Sequence, residues 1–276
     1  MLIPLARAMM PLLPDRLAFH LAVTLASLPP RLPVKAEDRQ QLDAAKRFQF
    51  GHDPRRVAWR WGSGPTVVLA HGWGGRGAQM VKLAVAIANS GYEVVVFDGQ
   101  AHGESPGRKI GFRLLMDDLM ELDMALYGNV SAWVCHSAAG LCLAAARIRF
   151  GMNPRRLVFL ATPRGPYIPI NELHRHLRPR ASVLDLCREF YAAEFGMQWQ
   201  EMNRCAAFTN GGDARLLLIQ DRDDPRIDAG DAEGIAASWG KAEIVHSNDL
   251  GHLKVLWDVE VTQKVIEFLQ RTDAAV

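Results

Sequence analysis

Three kinds of side chain in this sequence can together move an acyl group. The first is Ser137, in the run CHSAAG (Cys135–Gly140), set between the apolar SAWV and the helix-prone LCLAAARIRF. The second is the carboxylate cluster of QDRDDPRID, where Asp221, Asp223 and Asp224 compete for one role. The third is histidine, at His246 and His252 in AEIVHSNDLGH. A serine hydroxyl is nearly unreactive at neutral pH and needs an adjacent base. An imidazole base in turn needs a carboxylate to hold its tautomer and to stabilise the imidazolium. Taken alone, Ser137 is no more than a helix cap, and His246, inside a β-prone run, reads as a strand residue.

Positioning these groups requires regular elements, and the pattern supplies them after Arg47. Short β-branched runs alternate with longer helical ones. The expected strands are 47–50, 56–61, 66–70, 93–98, 131–135, 156–161, 215–219 and 242–246. The first two are close enough to form a hairpin across Gly51–Pro54. From TVVLA onward the apolar runs are unbroken, as in parallel strands buried on both faces. Helices are expected near 77–89, 111–126, 138–150, 229–239 and 254–270. This alternation predicts right-handed crossovers and a doubly wound, mostly parallel sheet of about eight strands. Residues 163–212 break the rhythm with helical pieces around 182–195 and 199–207, which reads as a small helical cap. In such sheets ligands collect at the carboxyl ends of the strands, so a cap rooted there roofs the pocket.

Two glycine-bearing turns accompany the serine. HGWGG (His71–Gly75) follows TVVLA, and DGQAHGES (Asp98–Ser105) closes EVVVFD. Glycines in the first free the backbone to turn sharply and aim N–H groups at a ligand. Together with the strand–CHSAAG–helix stretch, these motifs resemble the α/β-hydrolase family, over about residues 47–276. That family carries its nucleophile on a G-x-S-x-G turn between strand and helix. Here Cys135 and Ala139 replace both glycines, with Gly140 one step late. Both replacements are small, which the tight turn requires.

The resemblance implies an acyl-enzyme at Ser137 and the family order Ser–Asp–His. It assigns the acid to Asp224, with Asp221 and Asp223 as competitors, and the base to His252 after Gly251. It assigns the oxyanion hole to the backbone N–H groups of Trp73 and Ala138. His102 matches a family turn motif and is read as structural; His136 points elsewhere by strand alternation. The reaction implied is hydrolysis of a carboxylic ester, with thioester hydrolysis, acyl transfer or a non-catalytic binding protein as alternatives. No cofactor and no metal are implied. The two imidazoles of HRH (174–176) fall on different sides of a helix.

Arg164, Tyr191 and Phe195 are the candidate substrate contacts of the cap. Around Arg164, the basic stretch Arg175, Arg178, Arg180, His174 and His176 is relieved only by Glu172. It reads either as a solvated face or as an attractor for anionic acyl substrates.

Bulk properties are those expected of an ordinary soluble globule, and the resemblance adds a small-molecule acyl substrate. With 32 Lys and Arg against 30 Asp and Glu, the formal charge is only +2, which argues against a nucleic-acid partner. The four cysteines form no CxxC pair, so disulfides are not expected and a cytoplasmic location is. The apolar N-terminus is interrupted by Asp15, Arg16, His20 and three prolines, unlike a signal peptide or a membrane span. Residues 1–46 are read as a helical segment, with one helix capped by Asp15 and ended by Pro29–Pro30. Its leucines 17, 21, 25 and 28 share a face that packs on the main body; a lid, a contact between copies of the chain, or membrane docking are the other roles open to it.

Overall fold

β-branched and aliphatic residues in uninterrupted runs suit strands covered on both faces, and these runs pair into one sheet. The computed structural model describes residues 2–30, 33–52 and 55–271. The strands are β1 (Lys46–Phe50), β2 (Arg56–Gly62), β3 (Thr66–Ala70), β4 (Glu93–Asp98), β5 (Ala132–His136), β6 (Arg156–Leu160), β7 (Arg215–Asp221) and β8 (Ala242–Ser247). Their order is β1-β2-β4-β3-β5-β6-β7-β8. β2 runs antiparallel to both β1 and β4, and every other pairing is parallel. The expected eight-stranded, mostly parallel sheet is therefore present. The β1–β2 hairpin forms, although Asp53 and Pro54 of its expected turn lie outside the described residues.

Alternation along each strand divides the core in two, as a period of two requires. Val68, Ala70, Trp133 and Cys135 face one apolar cluster, while Val67, Leu69, Ala132 and Val134 face the other. The two marginal strands, β1 and β8, depart from double burial. On β8, Glu243 is exposed, a charge of the kind by which edge strands avoid pairing with other chains.

The helices, in chain order, are α1 (Leu2–Met9), α2 (Asp15–Ala26), α3 (Ala36–Asp43), α4 (Val81–Asn89), α5 (Phe112–Ala125), α6 (Ala138–Phe150), α7 (Ile168–Leu177), α8 (Ala181–Glu194), α9 (Trp199–Asn203), α10 (Asp231–Trp239), α11 (Gly251–Lys254) and α12 (Val259–Gln270). The single C-terminal helix expected over 254–270 is split. Asp258 caps α12 by accepting the Val261 N–H, which ends the preceding turn. In α2 the N-cap is Pro14 rather than Asp15. Its packing face takes in only half of the leucine face, since Leu21 and Leu25 pack against the core. Ala18 and Ala22 are fully buried, while Leu17 and Leu28 are 56% and 49% exposed. Small alanines let α2 lie close against α8, with Phe19 edge-on to Phe190 at 5.7 Å and Asp15 paired to Arg180 at 2.6 Å. The N-terminal segment and the helices between β6 and β7 thus share one layer. Among the described residues no helix is long and apolar enough to cross a membrane.

One buried ion pair ties the antiparallel margin to the helices. Arg56 Nε donates to Asp118 Oδ1 at 2.5 Å, and Asp118 Oδ2 accepts the Gln100 N–H at 2.7 Å. Burial pushes the Asp118 carboxyl up to about 6 despite the adjacent guanidinium, so it remains ionised at neutral pH. Removing one member of such a pair strands the other charge. Asp118→Ala is expected to cost about 3 kcal/mol, the low end of the usual range because Glu121 still pairs with Arg56 at 2.9 Å. A denaturant midpoint unchanged from wild type would contradict this.

Candidate active site

β5 ends in His136, and the chain reverses into α6 over a single residue. That residue, Ser137, has φ 56° and ψ −125°, a conformation unfavourable for any side chain except glycine. Two bonds over-determine it: its N–H donates to the Leu160 carbonyl at 2.8 Å, and its carbonyl accepts the Gly140 N–H at 3.0 Å. Close approach from two sides requires glycine. A Cβ on Gly72 would stand 2.8 Å from the Ser137 Cβ, and one on Gly140 would stand 2.3 Å from Thr162 Oγ1. The later glycine, Gly140, is therefore the one that seats α6 against the β6 loop, and Ala139 fits fully buried beside it.

Facing Ser137 is the imidazole of His252 on α11. Its Nε2 lies 3.0 Å from Ser137 Oγ, and its Nδ1 lies 2.7 Å from Asp224 Oδ2. The carboxylate can only accept, so Nδ1 carries the proton and Nε2 is free to take one from the hydroxyl. Asp224 Oδ1 accepts the Arg226 N–H at 2.8 Å, which fixes the carboxylate in turn. Ser137 and His252 are only 5% and 8% exposed.

The three competing carboxylates have divided the work. Asp221 accepts the N–H groups of Leu250 at 3.1 Å and Gly251 at 2.9 Å, and the Ser247 hydroxyl at 2.8 Å. Burial acts to raise its pKa, but these donors outweigh it and hold the carboxyl below its ordinary value. Asp223 accepts the Asp249 N–H at 3.0 Å. Both anchor the loop that delivers His252. Asp221→Ala should release that loop and lower kcat/KM by about 100-fold, the effect of misplacing a reacting group by roughly 1 Å. Activity equal to wild type would show the loop is held by other means.

His136 is a residue that strand alternation alone misjudges. It points toward His252, not away: its Nε2–H donates to the His252 carbonyl at 2.8 Å, and the two rings are 4.8 Å apart. Burial lowers its pKa to about 3, so it is a neutral donor. The local signal was its place next to the serine; the partner lies 116 residues away.

Trp73 sits on a loop braced by two further neutral histidines. His71 donates from Nδ1 to the Gly72 carbonyl at 2.9 Å and accepts the Gly99 N–H at 3.0 Å. His102 donates to the Gln100 carbonyl at 2.8 Å and accepts the Gly74 N–H at 3.1 Å. Burial lowers these pKa values to about 4 and about 3. The Trp73 N–H has no acceptor among the described residues. Ala138, first residue of α6, has no intrahelical acceptor either.

The expected cap contacts are distributed differently. Arg164 is engaged elsewhere: its guanidinium lies 3.4 Å from Asp228 and 3.3 Å from Asp231, so it ties the β6 and β7 loops together instead of offering charge to a ligand. Arg175 and His176 pair with Glu172, as a solvated face does. Tyr191 is buried against Trp73 and Phe112, with ring centroids at 6.0 and 5.5 Å. Phe195 packs on Phe112 at 5.1 Å. His246, on β8, pairs with Glu233 of α10 at 3.1 Å and makes no bond to Ser137, Asp224 or His252 among the described residues.

A mostly parallel sheet with a strained serine turn after its central strand, and with an acid and a histidine on later loops, defines a class. The alpha/beta hydrolase family model matches residues 67–262, and the chain belongs to that family. Among solved structures, it is similar to an esterase of Pyrococcus furiosus, with 16% identity over 88% of this chain and 98% of the other, and a TM-score of 0.64. An esterase from Thermogutta terrifontis is 17% identical over 82% and 98%, with a TM-score of 0.60. A thioesterase domain from the curacin biosynthetic pathway is 14% identical over 82% and 99%, with a TM-score of 0.56. At these identities the likeness is one of fold. No curated protein matches the chain.

Proposed function

We propose that this protein is a serine hydrolase that cleaves a carboxylic ester through an acyl-enzyme at Ser137. The observation that carries the reading is the unbroken line from Ser137 Oγ through His252 to Asp224, at 3.0 and 2.7 Å, on a backbone that presents the serine at the sheet's carboxyl edge. Ser137 Oγ attacks the ester carbonyl while His252 Nε2 takes its proton. Asp224 stabilises the resulting imidazolium. The N–H groups of Trp73 and Ala138 receive the oxyanion, each worth roughly 3–4 kcal/mol of barrier. Collapse expels the alkoxide, which takes the proton from His252. Water then attacks the acyl-enzyme, His252 accepting its proton and returning it to Ser137 as the acid leaves.

A fluorophosphonate probe tests the reading directly. Stoichiometric labelling, mapped to the peptide containing Ser137 and lost in Ser137→Ala, is the expected result. An unlabelled native protein would favour a binding role on the same fold. The acyl and leaving groups follow from rates on matched ester, thioester and amide substrates.

A further inference from the structure

Apolar side chains exposed singly are ordinary, but a contiguous apolar face marks an interaction surface. α1 and the 3-10 turn after it, Met10–Leu12, carry such a face. Ala6 and Met10, four residues apart, are buried and form the side on which α1 packs against α7. Leu5, Met9 and Leu12 follow a different row, spaced i, i+4 and i+7, and are 60%, 42% and 82% exposed. Pro4 and Ala8 widen this row and are exposed as well. No charged side chain interrupts it. Beyond the Leu13–Pro14 link, Leu17 in the first turn of α2 is exposed too.

The charge around this row is one-sided. Across residues 2–30 and 168–180, which contain α1, α2 and α7, five arginines stand against two carboxylates. Both carboxylates are engaged: Asp15 pairs with Arg180 at 2.6 Å, and Glu172 with Arg175 at 3.2 Å. Arg180 also donates to the Leu13 carbonyl, which sets its charge beside Leu12. Arg7, Arg16 and Arg178 are exposed and make no ion pair among the described residues. By helical spacing Arg7 falls at the margin of the apolar row, next to Pro4. Arg16 adjoins Leu17, and Arg178 ends α7, the helix on which α1 rests. Farther along α8, Asp185 pairs with Arg188, and Glu189 is the one other exposed carboxylate of that helix.

A two-fold contact between copies sets a patch against itself. Here it would turn the unpaired arginines of one copy toward those of the other, at a like-charge cost. An apolar surface of opposite charge suits both features at once. We infer that α1 and the first turn of α2 dock on a lipid bilayer rich in anionic headgroups. Leu5, Met9, Leu12 and Leu17 enter the acyl boundary, and Arg7, Arg16 and Arg178 meet the lipid phosphates. Amphipathic segments of this kind lie in the plane of the interface, and arginine stems reach from an apolar face to the headgroups. Docking of this kind goes beyond hydrolysis and does not depend on the chemistry at Ser137.

Flotation of the full chain with vesicles tests this. One set is phosphatidylcholine; in the other, a third of the lipid is phosphatidylglycerol. At low salt, wild type should bind the anionic set about tenfold or more tightly than the neutral one, since each arginine at such a surface is worth about fivefold. Raising the salt to ~0.5 M should remove most of that difference. The double variant Leu5→Ser, Leu12→Ser should weaken binding to the anionic set about tenfold, because less apolar surface leaves water. Arg7→Glu with Arg16→Glu should weaken it about tenfold or more. Should a double variant fail to fold, Leu12→Ser alone, at the most exposed of these positions, should still weaken binding about threefold. Absence of flotation, equal binding to the two vesicle sets, or binding unchanged in the leucine variants overturns the inference. A wild-type dimer in sedimentation velocity that the double leucine variant makes monomeric also overturns it, and gives the face to a second copy of the chain.

Discussion

Ser137→Ala is expected to reduce ester turnover by roughly four to six orders of magnitude, leaving a residual rate from the oxyanion donors and binding alone. Loss of the His252 imidazole should cost about as much, because the hydroxyl without a base is no better than no hydroxyl. The double variant should be no worse than either single one, the signature of groups acting as a unit. Asp224→Asn removes the acceptor that holds Nδ1–H at 2.7 Å and should cost about 10⁴ in kcat. Steady-state rates with active-site titration check each value. If Asp224→Asn is silent while Ser137→Ala is inactive, the acid is misassigned, and Asp221 or Asp223 becomes the candidate.

Acid should weaken this protein. His71, His102 and His136 are buried and neutral, with pKa values lowered by burial to about 4, about 3 and about 3. Their unfolded value is about 6.5. Below that pH the unfolded chain binds protons that the folded chain refuses, so stability is full above about 6.5 and falls as the pH drops toward 4. Asp118 titrates in the opposite sense, since its folded pKa of about 6 lies above the ordinary 3.8. Among these four groups the net difference is about two protons, or roughly 3 kcal/mol per pH unit between about 5.5 and 4. The raised pKa values of Asp98, Asp123, Glu194 and Asp231 offset part of it. The loss over that interval is then about 4 kcal/mol at most, a large share only of a domain at the low end of the ordinary 5–15 kcal/mol. Urea midpoints measured from pH 7 to 4 test this, and a flat profile would mean that the histidines are solvated in the folded state. His102→Asn should flatten part of the slope, because an amide can still meet the Gly74 N–H.

Much of this architecture is written in local pattern. Runs such as TVVLA, EVVVFD and RLLLI are long enough and apolar enough that all eight strands are placed within a residue or two of their ends. The turn at CHSAAG signals itself through side-chain size, which is a local property. What escaped local reading depends on partners remote in sequence. The packing face of α2 was read only in part: Leu21 and Leu25 do pack on the core, but alanines carry little hydrophobic weight, and Ala18 and Ala22 decide how near α8 can approach. The anchoring parts of His136 and Asp221 depend on a loop far along the chain. Arg164 looked available because its acidic partners, Asp228 and Asp231, lie beyond the cap in sequence.

The antiparallel pairing of β2 on β4 has a consequence for anyone who trims this chain. A fragment cut to residues 67–262 loses both β1 and β2 and bares the outer flank of EVVVFD. That strand has no proline and no lysine, and its three central valines are fully buried in the intact molecule. Unpaired along that flank and with no charge between Glu93 and Asp98, it would be a template for other copies to add onto. The amino-terminal quarter therefore acts as a built-in guard against self-association, so solubility would fail in such a fragment before any question of catalysis arose.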